Sequence, residues 1–161
     1  MSLKDACLAF FEADGWDVAT HEGGMLLTRV RGEHVSFHAV VIPDDDRERI
    51  TAYALAPGAV APAHRLKIVD FATRANSGVA VGNFELDVRT GELRFKVGLD
   101  LHDVVPEEGL IRNLVYRAVF ALDGTWPGIE AMLKYGATVD EALALVGTLQ
   151  GAKDGQTITE A

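Results

Sequence analysis

The stretch from Arg65 to Leu101, RLKIVDFATRANSGVAVGNFELDVRTGELRFKVGLDL, constrains this chain more than any other part of it. It reads as one helix followed by one hairpin. Pro62 suits a helix's first turn, where its missing N–H has no partner to lose, so a helix is expected from there to about Ala75. Leu66, Val69, Phe71, Ala72 and Ala75 line one side of it, and Arg65, Lys67, Asp70 and Arg74 solvate the other. Asn76-Ser77-Gly78 supplies a left-handed stop. Beyond it, Phe84, Leu86 and Val88 alternate with Asn83, Glu85 and Asp87, which is the period of a strand. After Arg89-Thr90-Gly91, Leu93, Phe95, Val97 and Leu99 alternate with Arg94, Lys96 and Asp100. Gly91 fits the loop position that needs a positive φ. The polar face sets Glu85 and Asp87 against Arg94 and Lys96, a cross-strand pattern worth about 0.2–1 kcal/mol per pair.

The flanking segments carry weaker versions of the same signals. A helix is expected over Leu3 to Ala13, with Ser2 and Asp5 as its capping box and Leu3, Ala6, Cys7, Phe10 and Phe11 on one face. Gly15 ends it, and Trp16 to Ala19 is extended. Strands follow at Met25 to Arg31 and His34 to Ile42, joined by a tight Gly32-Glu33 loop, with Pro43 expected to stop the ladder. Asp44-Asp45-Asp46-Arg47 leads into a third strand, Glu48 to Leu55, which Pro57-Gly58 ends. The C-terminal third is helical from Glu107 to Ala121. Asp123-Gly124 and Trp126-Pro127 are expected to interrupt it before it resumes over Gly128 to Tyr135. Thr138 and Glu141 have capping-box spacing for a last helix through Leu149. The chain is thus expected to form one domain over residues 1–149, with a polar, disordered tail at 150–161.

Charge limits the partners. The 161 residues hold 15 Lys and Arg against 24 Asp and Glu, for a net charge of −9. Nucleic acid and anionic membrane surfaces both select clustered cations, so neither is expected as a partner. No run approaches the ~18 apolar residues of a membrane span, and the acidic N-terminal segment does not read as a secretory signal. A single cysteine, Cys7, cannot form an internal disulfide and suits a reducing cytoplasm.

No constellation of catalytic, cofactor-binding or metal-binding residues stands out. His34 and His38 share a strand face but at ~13 Å, too far apart for one zinc ion. His21, His64 and His102 lack a carboxylate or thiolate at ligand spacing. Asp44-Asp45-Asp46 lacks the ordered ligands and glycine turn of a calcium loop, and reads as a solvated hairpin turn. Cys7 lies near a helix start, where a lowered pKa is conceivable, but on an apolar face, as a small buried hydrophobe does. Gly78-Val79-Ala80-Val81-Gly82 opens a strand rather than a helix, so it makes no phosphate site. Trp126, Pro127 and Ile129 read as a packing anchor, or as a partner-binding corner.

Arg74-Ala75-Asn76, Gly82-Asn83-Phe84-Glu85-Leu86-Asp87 and Gly91-Glu92-Leu93-Arg94-Phe95 resemble the helix-to-hairpin core of the YbjN family. The segments Pro127-Gly128-Ile129 to Gly136 and Glu141-Ala142-Leu143 are similar to its C-terminal signature. These are small bacterial proteins labelled as candidate sensory transduction regulators and grouped with the type III secretion chaperones by fold. The resemblance implies an α+β domain with a mainly antiparallel sheet packed on helices, in the order helix, three strands, helix, two strands, helices. It also implies a homodimer, and brings no catalytic residue with it. The function expected is that of a non-enzymatic, cytoplasmic interaction module, chaperone- or adaptor-like, holding an unidentified protein client and acting in regulation or stress response. The alternative is a small-molecule-sensing domain with a pocket between sheet and helices, lined by Phe37, Tyr53 and Phe95.

Overall fold

The computed structural model describes residues 1–147. The ends expected for the last helix and for the tail, at Leu149 and over 150–161, lie outside the described residues.

The chain opens with α1 (Leu3–Ala13), whose capping box forms as its sequence implies. The Ser2 hydroxyl accepts the Asp5 N–H, and the Asp5 carboxylate accepts the Ser2 N–H. The segment that reads as extended contributes a short strand, β1 (Val18–Thr20), followed by a single 3-10 turn at Glu22–Gly24. Next come β2 (Leu26–Arg31), β3 (Ser36–Asp44), β4 (Arg49–Leu55), α2 (Pro62–Asn76), β5 (Asn83–Leu86), β6 (Leu93–Asp100) and α3 (Glu108–Lys134). A further helix, α4, occupies residues 139–147. Its start is fixed by the Thr138–Glu141 capping box, in which each side chain accepts the other residue's N–H.

The strands form one antiparallel sheet in the order β1-β2-β3-β4-β6-β5. Its register sorts side chains onto two faces. Leu26, Val30, Phe37, Ala39, Val41, Ile50, Ala52, Ala54, Phe84, Leu93, Phe95 and Val97 point to one face, where α1, α2 and α3 cover them in a single buried cluster. The architecture is α+β, with the sheet packed on helices.

Four local expectations change. Pro43 does not end β3, because it pairs with Ile50 two residues past the last β2 partner, Val41. One edge of β3 is free there, and a strand tolerates proline on a free edge. The β2–β3 loop spans four residues, Gly32 to Val35, so His34 sits in the loop rather than on the strand with His38. Helix α3 runs unbroken through Asp123, Gly124, Trp126 and Pro127. Burial of Leu122, Trp126, Ile129 and Met132 along one stripe outweighs the hydrogen bond that a proline removes. Trp126, at 7% exposure, is a packing anchor rather than an exposed corner.

The fourth change concerns α2. Its buried stripe is Ile68, Phe71 and Ala72, while Leu66 faces solvent at 82% exposure. None of Asn76, Ser77 and Gly78 takes a positive φ, so the stop is not left-handed. Asn76 is committed elsewhere: its amide donates to the Phe84 carbonyl (3.0 Å) and its oxygen accepts the Phe84 N–H (2.6 Å). That side chain stands in for a neighbouring strand and closes the β5 edge, which would otherwise invite pairing.

Candidate protein-binding surface

The second face of the sheet has no helix over it among the described residues. The register lays its side chains out in rows across the strands. One row is Leu27, Val40, Tyr53 and Lys96, and the next is Arg29, His38, Leu55 and Arg94. Ile42 and Thr51 flank the first row on the other side. Leu27, Val40, Tyr53, Leu55 and Ile42 thus give an apolar centre on the uncovered side, with Ile42 36% exposed, Leu27, Tyr53 and Leu55 half-buried and Val40 buried among its neighbours. Two open grooves of about 680 Å³ each border it. One lies against the Leu55–Ala59 segment and the other against β1 and Trp16, and both are lined by Arg29 and His38.

This face mixes both signs of charge, Arg29, Arg31, Arg49, Arg94 and Lys96 standing among Asp17, Asp44, Glu85, Asp87, Glu92 and Asp100. Arg94 is held by Glu85 (2.8 Å) and lies over the Tyr53 ring, 4.7 Å from its centroid. Lys96 shares Glu85 at 3.5 Å, the cross-strand pattern read from the sequence. Burial pushes the Glu85 carboxyl up, but the Arg94 hydrogen bond and the Lys96 and Arg94 charges outweigh it and hold it below its ordinary range. Arg49 is paired with Asp44. Among the described residues, Arg29 and Arg31 have no carboxylate partner within salt-bridge distance. Both are exposed, beside the apolar row.

The base of the surface is fixed by a buried acid. Asp123, 7% exposed on α3, accepts the backbone N–H groups of Glu33 (3.0 Å), His34 (2.9 Å) and Val35 (3.2 Å). Its carboxylate therefore latches the β2–β3 loop onto the long helix. Gly32 makes room for it, since a Cβ there would fall 2.0 Å from Asp123 Oδ1. Glu33, His34 and Asp123 also bring ligand atoms within 4.8 Å of one another. Oδ1 already accepts two N–H groups and Oδ2 a third, so the arrangement reads as a latch.

At the opposite corner Arg65 does a similar job. Its guanidinium donates to the carbonyls of Val60, Val88, Arg89 and Thr90, tying α2 to the β5–β6 loop. Gly91, at φ +84°, is the left-handed residue that loop requires, and its carbonyl accepts the Val60 N–H at 2.8 Å. Arg65 therefore works as a clasp, not as the solvated residue its helical position suggests.

The remaining candidates disperse. Asp44 accepts the Arg47 N–H to close the β3–β4 turn, and Asp45 Oδ1 accepts the Leu3 N–H at 2.7 Å, capping α1 from a distance. His102 pairs with Glu48. Phe37 and Phe95 lie on the helix-covered face and Tyr53 on the other, so no cavity gathers the three. Cys7 is fully buried, and burial pushes its thiol up to about 12, with the Asp45 charge adding to the rise. The thiol is expected to resist Ellman's reagent in the native protein and to react in full only in denaturant. Fast labelling without denaturant would contradict this burial.

No protein-family model matches the sequence, and no curated protein is significantly similar to it. Solved structures do match. YbjN from E. coli aligns with a TM-score of 0.50 at 15% identity, over 73% of this chain and 92% of that one. The Yersinia pestis type III secretion chaperone SycH, solved with a stable fragment of YscM2, aligns at 0.48 and 15% identity over 73% and 94% of the two chains. A chain of the ExsC–ExsE complex aligns at 0.47 and 18% identity over 74% and 93%. The likeness to YbjN is one of fold: this chain has the YbjN architecture, as its helix-to-hairpin segment implies.

Proposed function

We propose that this chain is a non-enzymatic protein-binding module, chaperone- or adaptor-like, that works as a homodimer in the cytoplasm. The observation that carries the reading is the uncovered sheet face, on which Leu27, Val40, Tyr53, Leu55 and Ile42 form a contiguous apolar centre with a charged rim. An apolar centre with a polar rim is the anatomy of a protein interface. Two of the structures of similar fold are complexes with protein partners, which is the kind of ligand this reading calls for. A regulatory role would then act through a bound protein.

The test is affinity capture from a lysate of the native host, with wild type beside a Leu27→Asp/Leu55→Asp variant. A stoichiometric polypeptide that wild type retains and the variant loses supports the reading. No partner enriched by wild type over a charge-matched control, across growth conditions, overturns it. Light scattering on the wild type gives the oligomeric state, and a monomer at working concentration removes the homodimer.

A further inference from the structure

Independently of that reading, we propose that Glu33, His34 and Asp123 form a binding site for one divalent transition-metal ion of the zinc class. His34 and Asp123 stand 89 residues apart in the chain. Packing of the β2–β3 loop on α3 brings one ligand atom of each, and one of Glu33, within 4.8 Å of one another. A tetrahedral ion with bonds of about 2.0–2.1 Å holds its ligand atoms roughly 3.3 Å apart. Glu33 is exposed and His34 half-buried, so rotation of their side-chain torsions closes the difference while the backbone stays in place.

The latch is compatible with this second role. A carboxylate offers about four lone-pair positions. Oδ1 of Asp123 uses two of them on the His34 and Val35 N–H groups, and Oδ2 uses one on that of Glu33. One position on Oδ2 therefore remains for an ion. The N–H groups act as the outer partners of a ligating carboxylate do, fixing the buried Asp123 in place before an ion arrives. Two carboxylates this close repel each other, and a divalent cation between them turns that repulsion into attraction. The donor set selects the ion. One imidazole nitrogen beside two carboxylate oxygens suits zinc and its neighbours, whereas calcium and magnesium call for about six to eight oxygens. Copper(I) calls for soft sulfur ligands, and the cluster has none. Three protein ligands leave a fourth position to water, which the exposed Glu33 side admits. A bound ion would tie the loop to α3 through side chains as well as backbone, and would stiffen the end of β2 at Arg31.

The experiment titrates the full, untagged chain with zinc(II) against a chromophoric chelator, and with cobalt(II) followed by its visible absorbance. Wild type is expected to take up one equivalent saturably. Glu33→Gln/His34→Ala, which keeps all three backbone N–H groups on Asp123, is expected to bind at least about tenfold more weakly. Its urea midpoint without metal should match that of wild type, and the single variants Glu33→Gln and His34→Gln serve as milder versions. His21→Ala, which removes an exposed histidine far from the cluster in sequence, is expected to bind as wild type does. Amide exchange gives a second readout. Zinc(II) should slow exchange at Glu33, His34 and Val35 in wild type and leave it unchanged in the double variant. Binding that never saturates overturns the proposal, as does equal affinity in wild type and the double variant. So does an equal loss in His21→Ala, or zinc(II) uptake that leaves those three amides unprotected.

Discussion

Replacing Asp123 with alanine is expected to cost about 3 kcal/mol, although the residue reads from the sequence as part of a helix break. The carboxylate accepts three backbone N–H groups, those of Glu33, His34 and Val35, at 2.9–3.2 Å. Hydrogen bonds to a charged acceptor are each worth about 1.5–3 kcal/mol, and a loop that can swing toward water recovers part of the loss. Asp123→Asn keeps one oxygen but places an amide N–H against an N–H, so an intermediate cost is expected. Urea denaturation reads the global effect. Amide hydrogen exchange at Glu33, His34 and Val35 reads the local one, with faster exchange there than in the β4–β6 ladder. A cost under about 0.5 kcal/mol, with those three amides still protected, would refute the latch. Gly32→Ala attacks the same contact from the other side, because its Cβ meets both Asp123 Oδ1 and the Val35 carbonyl.

Phe95→Ala is the second large effect, expected at about 3–5 kcal/mol. Phe95 is fully buried in β6 between β4 and β5, and its ring meets that of Phe84 edge-on at 4.8 Å. A midpoint lower by about 10 °C is expected for a domain of this size. Tyr53→Ala is the internal control. Tyr53 lies on β4 one step from Ala54, the Phe95 partner, but it faces the open side beneath Arg94. Its loss should cost about 1 kcal/mol or less, mostly from the contact with the guanidinium. Comparable costs for the two substitutions would mean that the faces are assigned wrongly. A stable Tyr53→Ala that also loses partner capture would tie the open face to function.

Much of the fold was legible because its signals are local. Ser2 and Asp5, Thr138 and Glu141, and Gly91 act within a few residues of themselves, so spacing alone predicts them. The alternation in β5 and β6 likewise predicts the Glu85–Arg94 and Glu85–Lys96 pairs. The errors fall where a distant element intervenes. Pro43 and Pro127 are breakers by local rule, yet a free strand edge admits the first and a buried helical stripe carries the second. Leu66 is apolar and exposed, Arg65 charged and engaged, because the hairpin that α2 packs against sets which side is inside. Local rule reads Asp123 as a helix break and Asn76 as a helix stop, and neither as a bridge to another segment. Their partners stand 88–90 and 8 residues away, and are backbone groups that any sequence would offer.

Read alone, the chain yields the element order apart from the short edge strand β1, the hairpin with its loop glycine, the helix caps near both ends and the excess of acid. Those features depend on periodicity, φ preference and short-range hydrogen bonds, which are properties of a few consecutive residues. Which sheet face stays open follows from how the elements pack, and with it the surface where Arg29 and Arg31 stand beside Leu27, Val40 and Tyr53. Alternation says that a strand has two faces but not which one the helices will cover. That choice is made by all strands and helices together, where burying Phe37, Phe84 and Phe95 against α1, α2 and α3 removes the most apolar surface from water.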